Sequence, residues 1–221
     1  MIAWCLRFIL CFLPLPLLAQ TVSKDMLKIR ESFNRLDQVA IELKYGVSYQ
    51  GKNQNQQARI LKSKGQFYQQ FYGSIEQIRN TRYFLVINHQ EKKMVIQPAS
   101  DRNLEGSVNL FQLDSLLQVR KAMVERIPES GGLAGYRVKH DRGLYQKAEI
   151  YYDSNRFLPR KILLEGSGGQ SKILIEFSYN FQPKIDKKLF DIAKFVVVKE
   201  NLEVRPTESY KNYQLINGLR K

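Results

Sequence analysis

Two histidines, His89 and His140, are the only imidazoles in the 221-residue chain. They fall in separate predicted strands with no carboxylate at ligand spacing. A zinc site has nothing to build on, and neither metal nor cofactor is expected. There is no G-x-S-x-G elbow and no Ser-Lys pair at a strand–helix turn. Gly166-Ser167-Gly168-Gly169 lies between two strand-like runs and reads as a hairpin turn, not a phosphate cradle. No carboxylate pair is singled out for glycoside hydrolysis. Phe67, Tyr68, Phe71 and Tyr72, with lysines nearby, have stacking faces for sugar or nucleic acid. Alternation along a strand accounts for them equally well. The chain reads as a binding protein rather than an enzyme.

The N-terminus gives the compartment. Met1 to Arg7 is a short basic stretch, Phe8 to Leu18 is apolar, and Ala19 is a small residue before Gln20. Residues 1–19 read as a cleaved secretory signal, with an uncut N-terminal anchor as the other reading. The run is too short, and too broken by Pro14 and Pro16, to span a bilayer. Both cysteines, Cys5 and Cys11, lie inside it. The exported chain then has no disulfide, no thiolate metal site and no lipid-modified N-terminal cysteine, and thiol catalysis is excluded. The remainder, residues 20–221, is long enough to bury a core unaided and reads as one domain. Lysine and arginine number 35 against 21 acidic residues, for a net charge of +14. On an exported protein such charge suits anionic lipid head groups or an acidic partner, and export argues against nucleic acid. The basic residues are spread along the chain, which favours plain solubility.

The elements that would position a site follow from periodicity. Val22, Met26, Ile29, Phe33 and Leu36 form one helical stripe, with Ser23 as N-cap and Asp25 in the first turn. From Val39 the period becomes two, and Val39, Ile41, Leu43, Tyr45, Val47 and Tyr49 make one face of a long strand. Gly51 to Gln57 reads as a polar turn. Shorter strands follow over 58–63, 66–72, 74–79, 83–89 and 93–97, as a meander. Ser107 caps a second predicted helix carrying Leu110, Leu113, Leu116 and Leu117, and residues 119–127 fit helix or strand alike. Strands return over 135–140, 144–153, 159–165 and 171–181, with a short run at 195–198 and weak strand character at 210–216. The predicted class is α+β: a single strongly curved antiparallel sheet, a half-open barrel of nine to eleven strands, covered by amphipathic helices.

The last long strand ends in a distinctive way. Ile173, Ile175, Phe177, Tyr179 and Phe181 alternate, then Gln182-Pro183-Lys184-Ile185 breaks the pattern before Leu189-Phe190. Pro183 cannot extend the ladder, so Ile185, Leu189 and Phe190 are expected to fold back and close an end of the core. With Tyr151-Tyr152-Asp153 and Phe157-Leu158-Pro159-Arg160-Lys161-Ile162 before it, the stretch Ile150 to Phe190 resembles the periplasmic lipoprotein-carrier family. The resemblance implies a half-barrel with an apolar cavity and a helical lid, holding the acyl chains of a lipoprotein or another envelope lipid. It also implies an inner-membrane transporter or an outer-membrane acceptor as partner. A non-shuttling binding or sensor module of the same fold is the alternative. Cavity candidates are Ile41, Leu43, Val47, Phe67, Phe71, Leu85, Ile87, Met94 and Ile96, with Leu110, Leu113 and Leu117 in the lid. Carriers of this family often place an Arg-Pro pair after the second or third strand, the arginine holding the lid shut. This chain has Gln69-Gln70-Phe71-Tyr72-Gly73 there, with Arg79 and Arg82 further on.

Overall fold

A computed structural model of the protein describes residues 15–71, 74–100, 123–139 and 145–219. The second predicted helix, with Leu110, Leu113 and Leu117, lies outside the described residues. One α-helix, α1 (Leu15–Arg35), opens the described chain. Six strands follow: β1 (Val39–Tyr49), β2 (Lys52–Ser63), β3 (Gln66–Phe71), β4 (Ile75–Arg79), β5 (Tyr83–Asn88) and β6 (Lys93–Pro98). After the undescribed stretch come β7 (Met123–Ser130), β8 (Leu133–Lys139), β9 (Tyr145–Asp153), β10 (Leu158–Gly166) and β11 (Ser171–Asn180). The C-terminal segment adds β12 (Val196–Val198), β13 (Val204–Pro206) and β14 (Gln214–Asn217).

Among the described residues twelve strands form one sheet, in the order β14-β6-β5-β4-β3-β2-β1-β11-β10-β9-β8-β7, while β12 and β13 pair by themselves. Every neighbour in the large sheet is antiparallel except β14, which runs parallel to β6. The sheet is curved and does not close. Its centre is the long β1, which pairs along its whole length with β2 on one side and carries β11 on the other.

Several boundaries differ from the sequence expectation. The helix starts at Leu15, so Ser23 lies inside it rather than at its cap. Within the described residues the apolar run Leu15–Ala19 continues the helix. The predicted turn 51–57 is mostly strand. The chain reverses in two residues, Gln50 and Gly51, both with positive φ (48° and 78°), as a tight hairpin requires. The polar residues Lys52 to Gln57 then pair with the outer half of β1, where hydrogen bonding matters more than side-chain polarity. Residues 123–130 resolve to strand.

Each face of the sheet carries a buried cluster. On the helix face, Val22, Met26, Ile29 and Phe33 pack on Ile41, Leu43, Ile60, Phe67, Tyr136, Ile150, Ile162 and Phe177. At roughly 2 kcal/mol for each fully buried apolar side chain, this stripe outweighs the half-exposed 3.9 Å Lys28–Asp25 ion pair. On the opposite, tail face, Leu61, Tyr68, Ile78, Leu85, Ile87, Met94 and Ile96 pack under Phe190, Ile192, Phe195 and Val196. The stretch after β11 makes that second layer. Pro183 is buried, Asp186 accepts from the Lys188 amide at 3.0 Å, and the resulting 3-10 turn presents Phe190, which is 2 % exposed. Asp191 repeats the device with Ala193. The fixed turn therefore closes the tail-face core, as expected for Ile185, Leu189 and Phe190.

Candidate ligand-binding face

Helix α1 is fastened over one half of the helix face. Asp25 Oδ2 accepts from the hydroxyls of Tyr136 (2.7 Å) and Tyr152 (2.9 Å), whose rings stack. Burial and then the hydrogen bond to Asp25 push the Tyr152 phenol up to about 12; the same causes raise Tyr136 further. At the other end of the helix, Lys62 Nζ donates to the Phe33 (2.9 Å) and Asn34 (3.2 Å) carbonyls, satisfying groups that a helix C-terminus leaves open. Burial pulls that ammonium down to about 8 against the opposing pull of Asp37.

The other half of the helix face is different. The buried cluster under α1 draws on β1, β2, β8 to β11 and Phe67 of β3, but on no residue of β4, β5 or β6. Strand register puts Ile75, Gln77 and Arg79, then Phe84, Val86 and Asn88, then Lys93, Val95 and Gln97 on the same side as Phe67. Ile75, Gln77, Phe84, Val86 and Val95 are half-buried, whereas their alternates Ile78, Leu85, Ile87, Met94 and Ile96 are sealed under the tail. An apolar stripe of Ile75, Phe84, Val86 and Val95 thus continues from Phe67 across β4–β6, flanked by Gln77, Arg79, Asn88, Lys93 and Gln97, and such a stripe can take an acyl chain.

The twelve sequence candidates divide accordingly. Ile41, Leu43 and Phe67 come together on the helix face, buried beneath α1. Val47 lies further along the same face of β1 and is 37 % exposed. The Phe71 backbone pairs with Ala58 and Ile75, and its side chain lies outside the description. Leu85, Ile87, Met94 and Ile96 lie in the tail-face core, on the other side of the sheet from Phe67. Leu110, Leu113 and Leu117 are outside the described residues. Sequence reasoning missed Phe84, Val86 and Val95, because alternation is masked by the apolar run Tyr83–Ile87 in β5 and by Met94-Val95-Ile96 in β6.

It also missed a polar cluster. Sequence spacing gives His89 no carboxylate, but β4–β5 pairing brings Glu76 to 3.0 Å from His89 Nε2, while Nδ1 lies 3.0 Å from the Tyr213 hydroxyl. The trio ties the C-terminal segment to the sheet. Among the described residues no group of three metal-binding side chains assembles, and no helix is long and apolar enough to cross a membrane.

A separate groove of about 460 Å³ opens beside the C-terminal end of α1, lined by Ser32, Leu36, Arg156, Leu158 and Phe181. The Arg156 guanidinium sits 4.6 Å from the centre of the Phe181 ring, which is 39 % exposed and stacks on Tyr179.

No family model matches the chain, and no curated protein matches it. Solved structures are similar to the chain only loosely. A LolA superfamily protein from Nitrosomonas europaea is similar at 10 % identity and TM-score 0.38, over 76 % of this chain and 96 % of that one. An uncharacterized conserved protein from Thermus thermophilus is similar at 10 % identity and TM-score 0.45, over 89 % of this chain and 98 % of that one. MucB in the Pseudomonas aeruginosa MucA/MucB complex is similar at 16 % identity and TM-score 0.40, over 73 % of this chain and 60 % of that one. Likenesses this loose carry no functional weight, and the functional reading rests on the chain's own residues.

Proposed function

We propose that this chain is an exported, periplasmic binding protein that holds the acyl chains of a lipoprotein or another envelope lipid, as a carrier toward the outer membrane. The ligand surface is the helix face of β4–β6, continuing from Phe67 through Phe84, Val86 and Val95. The observation that carries the reading is the asymmetry of the sheet. Among the described residues its tail face is packed along β4–β6 by the C-terminal segment, while the buried cluster on its helix face takes in no residue of β4–β6. In this reading α1 is a fixed wall of the half-barrel. Leu110, Leu113 and Leu117, between β6 and β7 in sequence, keep the lid role implied by the family resemblance.

Native mass spectrometry and lipid extraction of protein purified from the periplasm test this. Co-purifying acyl lipid or acylated peptide supports the carrier reading. A protein that stays bare after incubation with lipid contradicts it. Leu113→Glu should abolish acyl binding in a folded protein, and unchanged binding would remove the lid assignment.

The groove at Phe181 favours a second reading, a non-shuttling sensor module that associates with an envelope protein. An exposed aromatic ring held by an arginine is the kind of anchor that protein interfaces use. A stable stoichiometric complex lost in Phe181→Ala would select it.

A further inference from the structure

Gln69 and Gln77 face each other across β3 and β4, on the same side of the sheet as Phe67. Gln69 is 0 % exposed. Its amide nitrogen and its carbonyl oxygen are both sealed from solvent without a hydrogen-bond partner, and so is the carbonyl oxygen of Gln77. The two amides do not bond to each other. Folded proteins pair most of their buried polar side-chain atoms, because an orphan keeps its full desolvation cost. Three orphans at one cross-strand position, beside the apolar stripe of Ile75, Phe84, Val86 and Val95, call for a ligand with polar groups to meet them.

The orphan set specifies the chemistry. One amide nitrogen needs an acceptor, and two carbonyl oxygens need a donor. An ester offers acceptors only and leaves both oxygens unpaired. A trans secondary amide, whose carbonyl and N–H point opposite ways, offers the carbonyl to the Gln69 nitrogen and the N–H to the Gln77 oxygen, and so meets two of the three orphans where an ester meets one. We infer that Gln69 and Gln77 form a seat for the amide linkage of an N-acylated ligand, with its acyl chain lying along the apolar surface of β4–β6. This rests on the acyl-binding reading above and sharpens it from acyl lipids in general to N-acyl amides.

The test compares two probes of equal chain length, N-methylhexadecanamide and methyl hexadecanoate, each displacing a fluorescent fatty acyl probe from the purified protein. The amide should bind at least about tenfold more tightly than the ester, since the ester leaves buried acceptors unpaired. The double variant Gln69→Met, Gln77→Met should lose the preference for amide over ester and melt at a higher temperature, the orphans having been removed. Equal binding of both probes by the wild type would overturn the seat while leaving acyl binding intact. An amide preference that survives in the variant would likewise overturn it. Failure of both probes to bind would remove the acyl-binding reading and the seat with it.

Discussion

The Tyr136 hydroxyl donates to the Asp25 carboxylate over 2.7 Å, and that bond ties β8 to the helix. Tyr152 on the neighbouring strand makes the same bond at 2.9 Å. A carboxylate in an apolar layer is tolerable only with such partners. The pair therefore fixes where α1 can lie, and with it the border of the buried cluster on the helix face.

Removing the carboxylate strands two buried phenols. Asp25→Ala should cost about 3 kcal/mol in urea unfolding, and Asp25→Asn, which keeps an acceptor, distinctly less. The folded-state pKa of Tyr152 lies above its unfolded value, so its contribution is complete below pH 10 and is lost as pH rises toward about 12. Spectrophotometric titration of Asp25→Ala should show this phenol ionising at lower pH than in the wild type. An unshifted titration would mean that burial alone raises it.

Glu149 supplies the acid-side counterpart, on the opposite face of the sheet from α1. Burial would raise its pKa. Hydrogen bonds from Arg137 (2.7 Å), Lys147 (3.1 Å) and Tyr151 (2.9 Å) outweigh that and hold it at about 2. A depressed carboxylate stabilises above its unfolded pKa of 4.5 and loses that contribution as pH falls toward 2. Unfolding free energy should fall by about 2 kcal/mol over that window through this residue. Glu149→Gln should flatten that limb of the stability profile, which urea titrations at several pH values will read.

How far the sequence carries can be seen residue by residue. The alternation of β1 and β11 is clean, so Ile41, Leu43, Ile175 and Phe177 were legible as one buried face. Length and capping did not fix the start of α1, since apolar residues continue the helix upstream of Ser23. In β5 the run Tyr83-Phe84-Leu85-Val86-Ile87 is apolar throughout. Period two cannot choose a face there, and only the pairing of Gln77 with Val86 does so. The parallel docking of β14 beside β6 and the meeting of His89 with Tyr213 join residues far apart in sequence, which local patterns do not encode.

The turn after β11 is testable by itself. Phe190→Ala should destabilise the protein by about 3–5 kcal/mol, as for other buried phenylalanines. Because Phe190 holds the C-terminal segment on the tail face, that segment should also become the first site of proteolytic cleavage. A variant with unchanged stability would mean that the tail is held elsewhere, through Phe195 and Tyr213.

The central claim is that acyl chains lie on the helix face of β4–β6. Photo-crosslinking with a fatty acid bearing a mid-chain diazirine, followed by peptide mapping, tests it most directly. The account predicts adducts on the strands carrying Phe84, Val86 and Val95, lost in a folded Val86→Glu variant. Adducts confined to the groove at Phe181, or labelling of β4–β6 unchanged by Val86→Glu, would contradict it.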